Sequence, residues 1–141
     1  MAKDLFQNFE VLSDYSDGRI YEKLDEMALA ELDSTDLPQV SPHFQGERWD
    51  PSSRCTIKNI DLYNFTFGKI AAGLLIGMAK NLKENIPAKC FENRHVIIGN
   101  GTFVRKSQAL RKAIEKVFEL PLILMSTTEE SATGAAILSI D

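Results

Sequence analysis

Few residues in this chain have the types and spacing that chemistry needs, and the most suggestive group is Gly99-Asn100-Gly101. The apolar run His95-Val96-Ile97-Ile98 enters it and a helical pattern leaves it. A Gly-X-Gly turn between strand and helix lets a flat ring approach the backbone with no Cβ in the way, and it offers amides at the helix start. Such a turn could hold a nucleotide, or be no more than tight strand-to-helix geometry. The fuller dinucleotide fingerprint GxGxxG is missing, and no GxxxxGK[ST] phosphate loop occurs anywhere. His43 and His95 have no Asp, Cys or second His at ligand spacing, so no metal site is expected from them. Asp4, Asp14, Asp17, Asp25 and Asp33 show no paired spacing that would make one of them a general base, and they read as a solvated acidic face. His95 reads as a strand-edge residue. Trp49, the only tryptophan, follows Glu47-Arg48 and reads as an anchor of its loop in the core, with stacking on the arginine as the alternative.

The elements that must position the turn follow from hydrophobic period. Ile20, Leu24, Met27, Ala28 and Leu32 recur at helical spacing over residues 19–32. Residues 36–60 hold Pro38, Pro42, Gly46 and Pro51, and predict a loop with short strands, long enough to suggest a functional role. Residues 64–84 predict a second helix whose Ala71, Ala72, Gly73 and Gly77 leave a small-residue surface. Gly costs ~1 kcal/mol relative to Ala inside a helix, so two of them four residues apart imply a neighbour crossing tightly over that face. Core packing is the preferred reading, with ligand contact as the alternative. Next come a short buried strand over 95–98, the glycine turn, and a helix with Ala109, Leu110, Ala113, Ile114, Val117 and Phe118 on one face, stopped by Pro121. A second buried strand over 122–125 and a small-residue helix over 130–138 complete the order. Strands alternating with helices predict an α/β fold with parallel pairing and right-handed crossovers, whose ligands lie beyond the carboxyl ends of the strands.

Bulk properties narrow the partners. With 141 residues and 44% hydrophobic content, the chain suits one compact domain over residues 1–141. A formal charge of −4 provides no broad basic surface for nucleic acid. Cys55 and Cys90 lack CxxC spacing and read as free thiols. The start of the sequence has no apolar signal region, and the longest apolar run, 70–79, is short of the ~20 residues that span a bilayer. A cytoplasmic protein with no membrane partner is expected.

Three separated segments carry a family resemblance: Val96-Ile97-Ile98-Gly99-Asn100-Gly101-Thr102, Ser107-Gln108-Ala109-Leu110-Arg111, and Glu129-Glu130-Ser131-Ala132-Thr133-Gly134-Ala135-Ala136. Together they resemble the closing signature of the FGGY carbohydrate kinases. Ser41-Pro42-His43-Phe44-Gln45-Gly46-Glu47-Arg48 is similar to the Pro-x-x-x-Gly-Glu-Arg segment that precedes it in that family. Within the family, Ile57-Lys58-Asn59-Ile60 and Gly77-Met78-Ala79-Lys80-Asn81-Leu82 look most like the sedoheptulokinase branch. The resemblance covers about residues 38–140.

It implies an incomplete, ribonuclease-H-like C-terminal domain of the actin-like ATPase architecture. It also implies ATP bound in a cleft between two domains, and magnesium-assisted phosphoryl transfer to a ketose hydroxyl, with sedoheptulose the expected sugar. By the same resemblance, Gly99, Asn100, Gly101 and Thr102 match the adenosine motif, and Ser107 stands where relatives often carry an Asn near the adenine. Glu129 and Gly134-Ala135-Ala136 match a segment closing the back of the cleft. Glu47 and Arg48 are expected to form an ion pair or loop anchor rather than to catalyse. The phosphate loop, sugar pocket and catalytic aspartate belong to the family's preceding domain, so the chain reads as a piece whose partner is its own N-terminal domain. Alone it is expected to fold, to bind nucleotide weakly, to lack kinase activity, and to self-associate through an uncovered interdomain face. Two alternatives stand beside this: a kinase for another sugar or polyol such as xylulose or glycerol, and a non-catalytic interaction module that kept the fold.

Overall fold

The structure is a computed structural model and describes residues 17–125. The expected helix over 130–138, with Glu129, Gly134, Ala135 and Ala136, lies outside the described residues, as do Asp4 and Asp14. Helix α1 (Asp17–Glu31) leads into a hairpin of β1 (Gln39–Ser41) and β2 (Thr56–Lys58). Helix α2 (Phe67–Glu84) follows, then a 3-10 turn (Ala88–Cys90), strand β3 (Ile97–Gly99), short helix α3 (Thr102–Lys106), helix α4 (Gln108–Phe118) and strand β4 (Leu122–Leu124).

Helix α2 is the centre of the packing, and its ends are set by local chemistry. The Thr66 hydroxyl accepts a bond from the Lys69 amide at its start, and the Asn85 amide donates to the Asn81 carbonyl at its end. Its buried residues, Ala72, Leu75 and Ala79, meet Ala28 and Leu32 from α1 and Ala109, Leu110, Ala113, Ile114 and Phe118 from α4 in one core. Phe118 also meets Phe91 edge to face at 5.6 Å. The small-residue face is packing, as preferred. A Cβ on Gly73 would lie 2.4 Å from the Pro38 carbonyl oxygen, and one on Gly77 2.0 Å from that of Val40. The β1 backbone therefore rests directly on the helix.

The strands form two separate pairs. β1 and β2 are antiparallel with Val40 opposite Ile57, and β3 and β4 are parallel with Ile98 opposite Ile123. Parallel pairing was expected, but full burial of these strands was not met. Ile98 and Ile123 are 67% and 60% exposed, whereas Ile97 and Leu122 pack against the core. Successive side chains of a strand point to opposite faces, and the crossover helix covers only one of them. Helix formation after the glycine turn also differs from expectation. The chain breaks at Ser107 into α3 and α4, and α4 ends in a left-handed Glu119 two residues before Pro121.

The turn from α1 to the hairpin is tied by buried Asn64. Its amide nitrogen donates to the carbonyls of Asp36 (3.0 Å) and Asn59 (2.7 Å), and its oxygen accepts from the Asp61 amide (2.8 Å). Asp36 also pairs with Lys69 of α2 at 2.6 Å. The lysine's hydrogen bond, opposed by some desolvation and helped by its charge, lowers the Asp36 carboxyl below its ordinary value. The same bond raises Lys69. For a depressed carboxyl, the stability it contributes is present above its unfolded value and lost as pH falls through the folded one. For a raised lysine, the stability is present below its unfolded value and lost as pH rises through the folded one. Asp36→Asn is expected to flatten the decline of stability on the acid side of the carboxylate range. Urea melts across that range measure it, and an unchanged acid limb would remove the pair from the account.

Candidate functional site

The glycine turn lies at the carboxyl end of β3, beside the end of the parallel strand β4. Gly99 is buried by necessity: a Cβ there would come within 2.8 Å of Leu122 Cδ2 and 3.0 Å of Val104 Cγ1. Its carbonyl accepts from the Met125 amide at 3.2 Å. Asn100, Gly101 and Thr102 are exposed. Asn100 folds over so that its side-chain oxygen accepts from the Gly101 amide at 2.5 Å. Gly101 has φ +102°, a left-handed conformation that L side chains rarely adopt, and a Cβ placed on it would meet nothing within 4 Å. The two glycines thus have different causes: Gly99 lets strand and helix touch, whereas Gly101 leaves a bare backbone facing open space.

Ser107, the fifth expected site residue, has another set of partners. It is 5% exposed and is the N-cap of α4, with its hydroxyl accepting from the Leu110 amide at 2.9 Å and donating to the Asp25 carboxylate of α1. That carboxylate also accepts from the Gln108 amide at 2.9 Å and from the Ala109 amide at 3.3 Å. Asp25 is therefore a cap on the α4 N-terminus, which corrects its reading as part of a solvated acidic face. A negative charge there meets the unpaired amides and the positive end of the helix dipole. Its partners stand 82 to 84 positions away, and no local signal reveals them.

Two residues that sequence reasoning passed over border the turn. Phe103 is 54% exposed, and Arg105 donates to the Met125 carbonyl at 2.8 Å, joining α3 to the end of β4. An aromatic two positions after a Gly-X-Gly turn is the signal that could have singled out Phe103. Val96, Ile98, Ile123 and Met125 add exposed apolar surface on these two strands and at their ends.

The Gly46-Glu47-Arg48 segment forms a loop anchored on α2. Gly46 has φ +84°, and a Cβ would meet the Pro51 carbonyl oxygen at 2.6 Å. The Glu47 and Asp50 backbones bond each other reciprocally at 2.9 and 3.1 Å. The Glu47 carboxylate accepts from Asn81 of α2 at 3.0 Å and lies 3.0 Å from His43 Nε2, while His43 Nδ1 lies 2.7 Å from Ser53 Oγ. Glu47 is thus the expected loop anchor. Arg48 is exposed, and Trp49 is 69% exposed, so the tryptophan is not the core anchor it was read to be. The anchoring is polar and passes through Glu47, His43 and Asn81. Cys55 and Cys90 are free thiols.

Among the described residues there is no group of three or more His, Cys, Asp and Glu that could hold a metal ion. No described helix is long and apolar enough to cross a membrane. The β3 end exposes a bare backbone turn, an amide side chain, a hydroxyl and an aromatic ring.

No family model and no curated protein sequence matches the chain. Solved structures do. Xylulose kinase from Rhodospirillum rubrum superposes with a TM-score of 0.72 at 22% identity, over 100% of this chain and 30% of that one. Plasmodium falciparum glycerol kinase, solved with ADP, gives 0.67 at 21% identity over 83% of this chain and 24% of that one. Gluconate kinase from Lactobacillus acidophilus gives 0.60 at 20% identity over 87% and 26%. The chain thus spans less than a third of the length of each. These neighbours are sugar and polyol kinases by name, and the chain has the incomplete α/β fold of the C-terminal portion of such enzymes.

Proposed function

We propose that this chain is the adenosine-binding part of an ATP-dependent sugar kinase, inactive without a preceding domain. The observation that carries it is Gly101: a positive-φ glycine with open space above it, at the carboxyl end of a parallel strand pair. Gly99, Asn100, Gly101 and Thr102 would lie against the base and ribose, with the backbone supplying the flat approach. Phe103 lies next to them with its ring exposed. Ser107 serves this site as a positioning residue, because it starts α4 and so fixes where α3 ends. ATP supplies the transferred phosphoryl group. Catalysis and the magnesium site are assigned to the preceding domain, where the family resemblance puts the phosphate loop and the catalytic aspartate. The exposed apolar surface around Ile98 and Ile123 is the interdomain face in this reading, and it favours self-association of the isolated chain.

The acceptor is proposed to be a ketose, with sedoheptulose favoured by the similarity of the 46–60 and 77–82 segments to that branch. Xylulose is the second reading, favoured by the xylulose kinase among the structural neighbours. Assaying the chain joined to its N-terminal domain against sedoheptulose, xylulose, glycerol and gluconate separates them by kcat/KM.

Titration of the chain with ADP, followed by amide NMR, tests the nucleotide site. Localised shifts are expected at Gly99, Gly101 and the α3 start. Gly101→Ala, whose Cβ meets no neighbouring atom and whose cost is backbone strain of about 1–3 kcal/mol, is expected to weaken ADP binding about tenfold or more by filling the approach. Unchanged Gly101 and Gly99 amides at millimolar ADP would remove the adenosine role from this chain.

A further inference from the structure

A groove of about 850 Å³ lies between the α1–β1 turn, the hairpin, the C-terminal half of α2 and the end of α4. It shares no residue with the glycine turn, and an inference from it does not depend on the kinase reading. Its size is that of a small-molecule site. Four of the chain's sixteen Lys and Arg line it, namely Lys58, Lys80, Lys83 and Lys116, against the single carboxylate Glu84, although the whole chain carries −4.

The four lysines divide into two kinds. Lys83 donates to the Val117 carbonyl at 2.7 Å, and Lys116 donates to the Leu32 carbonyl at 2.6 Å and pairs with Asp33 at 3.0 Å. Both stand in the last turn of their helices, where they offset unpaired carbonyls and the negative end of the dipole. Their positions are explained by the fold. Lys58, on β2, and Lys80, on α2, make no hydrogen bond or ion pair among the described residues. The two residues border one concavity from two different elements, and their ammonium groups are engaged by no partner among the described residues. Concave walls of low dielectric concentrate the field of such charges and raise the local concentration of anions. Two compact ammonium groups with free donors suit a phosphate group, which accepts several hydrogen bonds at once.

We propose that this groove binds a small phosphorylated metabolite, with Lys58 and Lys80 as its principal phosphate contacts and Lys83 contributing from the wall. The ligand is separate from the nucleotide at the β3 end and would make the hairpin sensitive to phosphate-bearing metabolites.

The test is an amide NMR titration of the full 141-residue chain with pyrophosphate and, separately, glucose 6-phosphate, with glucose as the uncharged control. Saturable shifts are expected at Lys58, Lys80 and Lys83 and their neighbours, with none at Gly99 or Gly101, and glucose should give none. Binding should weaken as salt is raised. The ligand that binds more tightly tells whether the phosphate comes from an ester or an inorganic anion. Both lysines are exposed, so Lys58→Gln/Lys80→Gln should fold and lose about tenfold or more in affinity. Lys112→Gln, exposed on α4 and paired with Glu115, should bind as the parent does. The proposal is overturned if neither phosphate shifts groove amides, if the double variant binds as well as the parent, or if Lys112→Gln loses as much as the double variant.

Discussion

Gly77→Ala is expected to destabilise the chain by about 3 kcal/mol, even though alanine is the better helix former by ~1 kcal/mol. The added methyl would stand 2.0 Å from the Val40 carbonyl oxygen and 3.0 Å from its carbon, and these are backbone atoms with no rotamer by which to move aside. Val40 is also held by its pairing with Ile57, so the hairpin must lift from α2 as a unit. Gly73→Ala should behave similarly, through the Pro38 oxygen at 2.4 Å. Urea denaturation of the parent and the variants measures the effect. The contrast is Gly101, where a Cβ has open space and the cost is backbone strain alone, about 1–3 kcal/mol. If Gly77→Ala were as stable as the parent, the close seating of β1 on α2 would be wrong, and with it the account of the small-residue helix face.

The second large effect belongs to Asp25→Ala. The carboxylate accepts from the Ser107 hydroxyl and from the Gln108 and Ala109 amides, so its removal leaves a buried hydroxyl and the first amides of α4 without their acceptor. Hydrogen bonds to a charged group contribute about 1.5–3 kcal/mol, and the charge at the helix N-terminus adds a few tenths to 1 kcal/mol. A loss of about 2–3 kcal/mol follows after partial replacement by water. Asp25→Asn keeps an acceptor oxygen and loses the charge, so it should fall between parent and alanine. Hydrogen exchange would show where the loss is felt, with faster exchange at Leu110 and the first turn of α4. Equal stability of Asp25→Ala and the parent would return Asp25 to the solvated surface.

Much of the local order was legible in the residues. The periodicity of 19–32, 64–84 and 109–118 placed the three long helices to within a few residues, because an amphipathic stripe of 3.6 period has few other ways to bury itself. Gly73 and Gly77 announced a close crossing for the same kind of reason: two costly residues on one helix face are tolerated where a Cβ cannot fit. The position of Gly99-Asn100-Gly101 after a strand and before a helix was legible too, and with it the end of the sheet where a ligand would come.

The tertiary structure decided the rest, and in each case the cause was a partner remote in sequence. Asp25 looked like one carboxylate among several until α1 and α4 packed together and set it against amides some 80 residues away. Trp49 looked like a core residue by type, but the loop was secured by the polar contacts of Glu47 with His43 and Asn81, which side-chain composition does not foretell. Ile98 and Ile123 read as buried because they are apolar, yet burial requires a second layer, and only one face of β3 and β4 has a helix upon it. The charge of the groove follows the same rule. Lys58 and Lys80 stand 22 positions apart on a strand and a helix, and only the seating of the hairpin on Gly73 and Gly77 makes them neighbours of one cavity. Sequence determined which elements form and where the bare turn lies, since those depend on contacts within a few residues. The packing of helices and hairpin determined what each charge and each apolar face meets, since those depend on contacts across the whole chain.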